Sequence, residues 1–155
     1  MGNLPCFVGI DPGYKTGAVA LITEKWAEVY DLPVWEVGGV NTFELAQILQ
    51  SVTVDAVTIE KQSARPMQGV ASSFKLGMGY GQIIGSLTLM QYRFQEVTPG
   101  RWKKTLSVPS DKDAARRIAQ RTFPQLSARL GLKKHEHRAE ALLMAEYARL
   151  TNVQR

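Results

Sequence analysis

The feature that most constrains this chain is an apolar run that ends on an acid and a turn. Cys6-Phe7-Val8-Gly9-Ile10 leads into Asp11-Pro12-Gly13, and a second apolar run, Thr16 to Ile22, follows at once. A β-run closed by Pro-Gly and resumed within a few residues predicts two antiparallel strands joined by a tight turn. Val29 to Val37 predicts a weaker third strand, interrupted by Pro33 as suits an edge or a bend. Three strands with short connections make an antiparallel meander. The pattern then changes period. Thr42 is the expected N-cap of a helix whose stripe is Leu45, Ile48, Leu49 and Val52. Ala56 to Glu60 predicts a fourth strand, again ending on a carboxylate. A strand reached through a helix needs a crossover, so it is expected to lie parallel to the first.

Residues 68–91 predict one long helix in which Ser73, Gly77, Gly81 and Gly85 form a ridge of small residues. Such a ridge admits a second backbone closely. Packing on this protein's own sheet is the first expectation, and a helix–helix dimer contact the second. Phe94 to Thr98 predicts a fifth strand, broken by Pro99-Gly100, with a basic loop from Arg101 to Asp113. Helices are expected from Asp113 to Thr122 and from Glu136 to Leu150. The order β-β-β-α-β-α-β-α-α describes a mixed α/β fold, and 155 residues without a linker or repeat describe one domain, 1–155.

Charge narrows the class. The net charge is +5, but residues 1–99 hold 6 Lys/Arg against 9 Asp/Glu, whereas residues 100–155 hold 13 against 5. A basic C-terminal third fits a polyanionic partner, nucleic acid first. An apolar fraction of 45% with 21% charged residues excludes a disordered or fibrous chain. The most apolar stretch, 71–90, carries Lys75 and four glycines, so no membrane span is expected. The single Cys6 excludes an internal disulfide and a thiolate zinc cage, and with no basic n-region ahead of an apolar run it fits a cytoplasmic protein.

Two carboxylates carry the chemistry. Asp11 alone reads first as a turn cap. Glu60 ends a strand expected to be parallel to the first, so both acids fall at the same edge, where open α/β sheets keep their sites. Adjacent buried carboxylates repel unless a cation lies between them, which points to Mg²⁺ or Mn²⁺. The last helix adds His137 and Glu140, three residues apart, on the face continued by Ala141, Met144, Ala145 and Ala148. His135 is expected to stand outside the site. Asp11, Glu60, His137 and Glu140 form a set suited to two divalent ions about 4 Å apart, the arrangement that hydrolyses phosphodiesters. Beside them, Trp102 among Arg101, Lys103 and Lys104 has two readings: stacking on an unpaired base, or anchoring the loop to the core. Arg116, Arg117 and Arg121 read either as a solvated face or as a DNA track.

These residues, in this order, resemble the RuvC-type Holliday junction resolvases. The resemblance rests on Gly9-Ile10-Asp11-Pro12-Gly13 with Thr16-Gly17, on Ile59-Glu60, and on Lys75-Leu76-Gly77 with Gly79-Tyr80-Gly81. Lys103-Lys104-Thr105 before Asp111-Lys112, and His137-Arg138-Ala139-Glu140-Ala141-Leu142, complete it. It implies a ribonuclease H-like fold: a five-stranded mixed sheet, three antiparallel strands then parallel ones, with helices on both faces. It also implies a homodimer that cuts four-way DNA junctions by paired symmetric nicks, leaving 5′-phosphate and 3′-hydroxyl ends. Asp11, Glu60 and Glu140 match the acidic metal ligands, His137 the fourth position, and Lys103 and Lys112 the residues on the backbone near the scissile phosphate. Two positions depart from the pattern. Glu140 stands where the usual final acid is the shorter Asp. The aromatic that follows the strand Glu in well-known members is missing from residues 61–67, where Arg65 and Met67 are the candidates to replace it. Nucleases of the same fold acting on forks, flaps or RNA-containing duplexes are the alternative, as is a non-catalytic junction-binding module.

Overall fold

The computed structural model describes residues 4–111 and 113–152. Five strands form one sheet in the order β3-β2-β1-β4-β5. They are β1 (Cys6–Asp11), β2 (Ala18–Ile22), β3 (Ala27–Asp31), β4 (Val54–Glu60) and β5 (Phe94–Val97). β1 pairs antiparallel with β2 and parallel with β4, while β2–β3 is antiparallel and β4–β5 parallel. The expected mixed sheet is therefore present. β1 is its centre, and all six of its residues are buried. A strand covered on both faces has no use for a polar alternation, which is why it reads as a continuous apolar run.

The two faces are covered by different helices. Val8, Ile10, Leu21 and Ile59 face α1 (Thr42–Gln50) and α2 (Val70–Leu89) through Leu45, Leu49, Ile83 and Leu87. Phe7, Ala18, Ala20 and Ala56 face α3 (Pro99–Thr105), α4 (Ala114–Thr122) and α5 (Glu136–Asn152). α5 lies very close to the sheet. A Cβ on Gly9 would stand 2.0 Å from the Ala141 carbonyl oxygen and 2.3 Å from the Ala145 nitrogen. The alanines of α5 and the glycine of β1 are two halves of one contact, and no larger residue fits either half.

Several expectations change in detail. β2 begins at Ala18 because Gly17, at φ 130°, turns the chain back against the Asp11 carbonyl. β3 lies earlier than Val29–Val37, and the chain beyond Pro33 contributes only a Val34–Val40 bridge. The α1 cap is Asn41 rather than Thr42: its side-chain oxygen accepts from the Glu44 nitrogen at 3.2 Å. Pro99-Gly100 starts a helix instead of opening a loop. Proline at the first helical position costs no hydrogen bond and presets φ, so the same residue that ends β5 begins α3. Two short 3-10 turns, Pro124–Leu130 and Lys133–His135, lie between α4 and α5.

The largest correction concerns the ridge on α2. Gly77, Gly81 and Gly85 have nothing within 4 Å of where a Cβ would stand, so the ridge does not pack on this protein's own sheet. Ile83 and Leu87 are the α2 residues that do, and Gly79, on the same face, sits against the Gly13–Tyr14 turn. Among the described residues no helix is long and apolar enough to cross a membrane.

Candidate active site

The parallel register that pairs Ile10 with Ile59 brings the next residues, Asp11 and Glu60, to one edge of the sheet. Both strands are driven inward by apolar residues, so each acid is held at the point where its strand leaves the core. Asp11 is only 4% exposed. α5 starts over the same edge and presents His137 and Glu140 from its first turn. Its start is tied to the far strand by Arg138, whose guanidinium donates to both Asp31 oxygens at 2.7 and 2.8 Å. That bidentate pair fixes the end of the helix that bears the two candidate ligands.

Each buried carboxylate is met by a proton donor. His137 Nδ1 lies 2.5 Å from Asp11 Oδ2. The Trp102 indole Nε1 donates to Glu60 Oε2 at 2.8 Å. Lys103 Nζ lies 3.1 Å from Glu140 Oε1 and 5.2 Å from the centre of the Trp102 ring. The electrostatics record the crowding. Burial raises the Asp11 pKa, while its hydrogen bond to Asp11 raises that of His137. Burial also raises Glu60, against the pull of the Trp102 hydrogen bond. Glu140 is pushed up to about 7, first by burial and then by the charges of Asp11 and Glu60. The three carboxylates repel one another across one small space.

As the side chains stand, no group of three His, Cys, Asp or Glu among the described residues is arranged to hold a metal ion. The donor chemistry nevertheless fits a hard divalent cation. One buried and two half-buried carboxylates, with Asp11 raising the pKa of both Glu60 and Glu140, are the ligands such an ion prefers, and His137 is the neighbouring nitrogen donor.

The expected basic residues divide. Lys103 is in the site; Arg101 and Lys104 are exposed on α3, and Arg65 is exposed on the segment after β4. Lys112 lies outside the described residues. Trp102 is a correction: it is fully buried, so it cannot stack on a base, and the anchoring reading holds. Arg116 donates to Asp113 and the Gly131 carbonyl, and Arg117 pairs with Asp111, so both serve the local fold. His135 accepts from the Leu132 nitrogen and touches none of the carboxylates of the set, although it lines the cavity beside His137. Sequence reasoning missed Lys15 and Lys134, which line a cavity of about 350 Å³ with Thr16, Asp31, His137 and Arg138. Their nearness in sequence to Asp11 and His137 is the signal that could have found them.

No family model and no curated protein matches the chain. Solved structures do match. RuvC from T. thermophilus in complex with a Holliday junction substrate superposes with a TM-score of 0.68 at 18% identity, covering 94% of this chain and 96% of that one. A second structure of Thermus thermophilus RuvC gives a TM-score of 0.59 at the same identity and coverage. The fold is RuvC-like. The likeness extends along nearly the whole of both chains while four residues in five differ, so what is shared is the architecture. In this RuvC-like frame the antiparallel meander, the parallel crossover and the closing helix α5 all stand as the motif order implied.

Proposed function

We propose that the protein is a divalent-metal-dependent endonuclease that resolves four-way DNA junctions by paired symmetric nicks. The observation that carries this is the crowding of Asp11, Glu60 and Glu140 at one sheet edge, which pushes Glu140 up to about 7. Acids gathered at one strand edge, with pKa values raised by burial and by neighbouring carboxylates, are the pattern of a functional site. Asp11, Glu60 and Glu140, with His137, are the proposed holders of two Mg²⁺ or Mn²⁺ ions. When bound, such ions activate a water and stabilise the leaving 3′ oxygen of a phosphodiester.

The chain's own residues do the rest. Asp11 and Glu60 stand at the ends of two buried strands, so their backbone positions need no ordering when substrate arrives. His137, hydrogen-bonded to Asp11, would hold a proton at Nδ1 within the proposed site. Lys103 is the mobile cation: its ammonium is free to exchange Glu140 for a backbone phosphate. Arg101, Lys104 and Arg65 are the proposed basic rim, and they and Lys112 are proposed to add affinity without sequence readout. Junction DNA is the proposed substrate because the basic third of the chain suits a polyanion and a RuvC of this fold has been solved on a Holliday junction.

One site per 155-residue domain makes symmetric nicking a task for two copies, so the proposal includes a homodimer. The open ridge Gly77, Gly81 and Gly85, bordered by exposed Phe74 and Met78, is its proposed contact. The cytoplasm is the proposed place of action. A panel of four-way junction, fork, flap and RNA–DNA hybrid, each with Mg²⁺ or Mn²⁺, tests the reading. Paired nicks with 5′-phosphate ends on the junction support it. Junctions left intact across several sequences with either metal overturn it.

A further inference from the structure

We propose that Trp102 is a positioning residue for Glu60, holding that carboxylate ready for its metal through the indole N–H. The inference rests on the reading of Glu60 as a metal ligand and concerns a residue outside that ligand set. β5 is paired with β4 so that Val97 stands beside Glu60, and α3 begins two residues later at Pro99. The fixed start of α3 sends Trp102, in its first turn, back beneath the end of β4. There the indole is completely buried in the core that α3, α4 and α5 share with the sheet. A tryptophan so placed fills apolar space with its rings, but its N–H must still find an acceptor. It finds Glu60 Oε2 at 2.8 Å.

The contact uses one oxygen of the carboxylate. Oε1 has only the distant Gln62 amide at 3.5 Å, so it stays available. A glutamate side chain is otherwise free about three torsions, and one strong hydrogen bond to a carboxylate removes much of that freedom before any ion arrives. Lys103 makes the contrast. It is the next residue on the same helix and pairs with Glu140, yet its side chain is a third exposed and has a flexible stem. Lys103 can let go; Trp102, gripped on all sides, cannot. α3 thus offers one exchangeable partner and one permanent one. Ligand-orienting hydrogen bonds of this kind are typically worth 10- to 100-fold in metal affinity.

The test measures Mn²⁺ binding by calorimetry on DNA-free protein for wild type, Trp102→Phe and Glu60→Gln. Phenylalanine keeps the apolar packing and removes the donor. Trp102→Phe is expected to bind Mn²⁺ about 10- to 100-fold more weakly, with metal-free junction binding unchanged. Its half-saturating metal concentration for cleavage rises in step, and saturating Mn²⁺ restores the maximal rate, a split that a general loss of packing does not produce. A folded Trp102→Phe that binds Mn²⁺ as wild type does overturns the inference. Wild type that binds no Mn²⁺ overturns instead the metal site itself, and this inference with it. Should the variant not fold, the wild-type indole N–H gives the answer by NMR, assigned by substituting the exposed Trp26 and Trp35. A Trp102 signal that lies downfield, moves on adding Mg²⁺ and loses its position in Glu60→Gln supports the inference. A signal indifferent to both overturns it.

Discussion

α5 and α2 both carry small residues at four-residue spacing, and the two rows meet opposite fates. On α5, Ala141 and Ala145 are fully buried against β1, where Gly9 leaves no room for even a methyl group. On α2, Gly77, Gly81 and Gly85 face open space, with Phe74 68% and Leu89 85% exposed on the same helix. A row of small residues states that some backbone can come close; it does not state whose. On α5 the partner is the chain's own central strand. On α2 the sheet has taken the other face, that of Ile83 and Leu87, which is offset from the ridge by two residues and so by about 200° around the helix.

That contrast can be broken at either end. The largest effect is expected for Gly9→Ala. The new Cβ meets backbone atoms of α5 rather than a flexible side chain, so the cost is about 3 kcal/mol or more. In thermal melts this is a fall in Tm of roughly 6–12 °C; an unchanged Tm would show that α5 is not seated on β1. Next comes Gly81→Glu. The side chain has space in the monomer, but a charge buried without a partner at a two-helix contact costs about 3 kcal/mol, or roughly 100-fold in dimer affinity. Sedimentation should show monomers with unchanged circular dichroism, and a dimer of full strength would remove α2 from the interface.

A smaller effect sharpens the α5 side. The folded pKa of Glu140, about 7, exceeds its ordinary 4.5. Between those values the folded chain keeps a proton that the unfolded chain has released, so in metal-free buffer stability falls as pH rises from about 4.5 to about 7. Melts in chelator across this window should show the decline, and Glu140→Gln should make it shallower, leaving the share of Asp11 and Glu60. If Glu140→Gln keeps the wild-type slope, the carboxylates are not crowded as described. The smallest effect is Gly77→Ala in the monomeric Gly81→Glu background. An exposed helical glycine replaced by alanine should stabilise by about 0.5–1 kcal/mol in urea titrations. Destabilisation would mean that the ridge packs on something within the chain.

Much of the frame was legible because it follows from local chemistry. The buried runs ending in Asp11 and Glu60 announce two inner strands, and the helix between them forces their parallel pairing. The spacing of His137, Glu140, Ala141, Met144 and Ala145 announces the docked face of α5. What failed depended on distant partners. Pro99-Gly100 reads as a break until β5 is seen to hand the chain straight to α3. Trp102 stands among Arg101, Lys103 and Lys104, so its neighbours in sequence suggest solvent, while its neighbours in space are the core and Glu60. The α2 ridge and the α2 core stripe have the same period, and only tertiary packing decides which of them the sheet takes.

The crowded carboxylates are proposed to cut DNA. Asp11→Asn tests this role most directly, since the amide keeps the size of the side chain and removes the charge. Cleavage and binding of one four-way junction would be measured side by side with wild type in Mg²⁺. Loss of cleavage with junction affinity preserved is the predicted result. Cleavage by Asp11→Asn at the wild-type rate would contradict it.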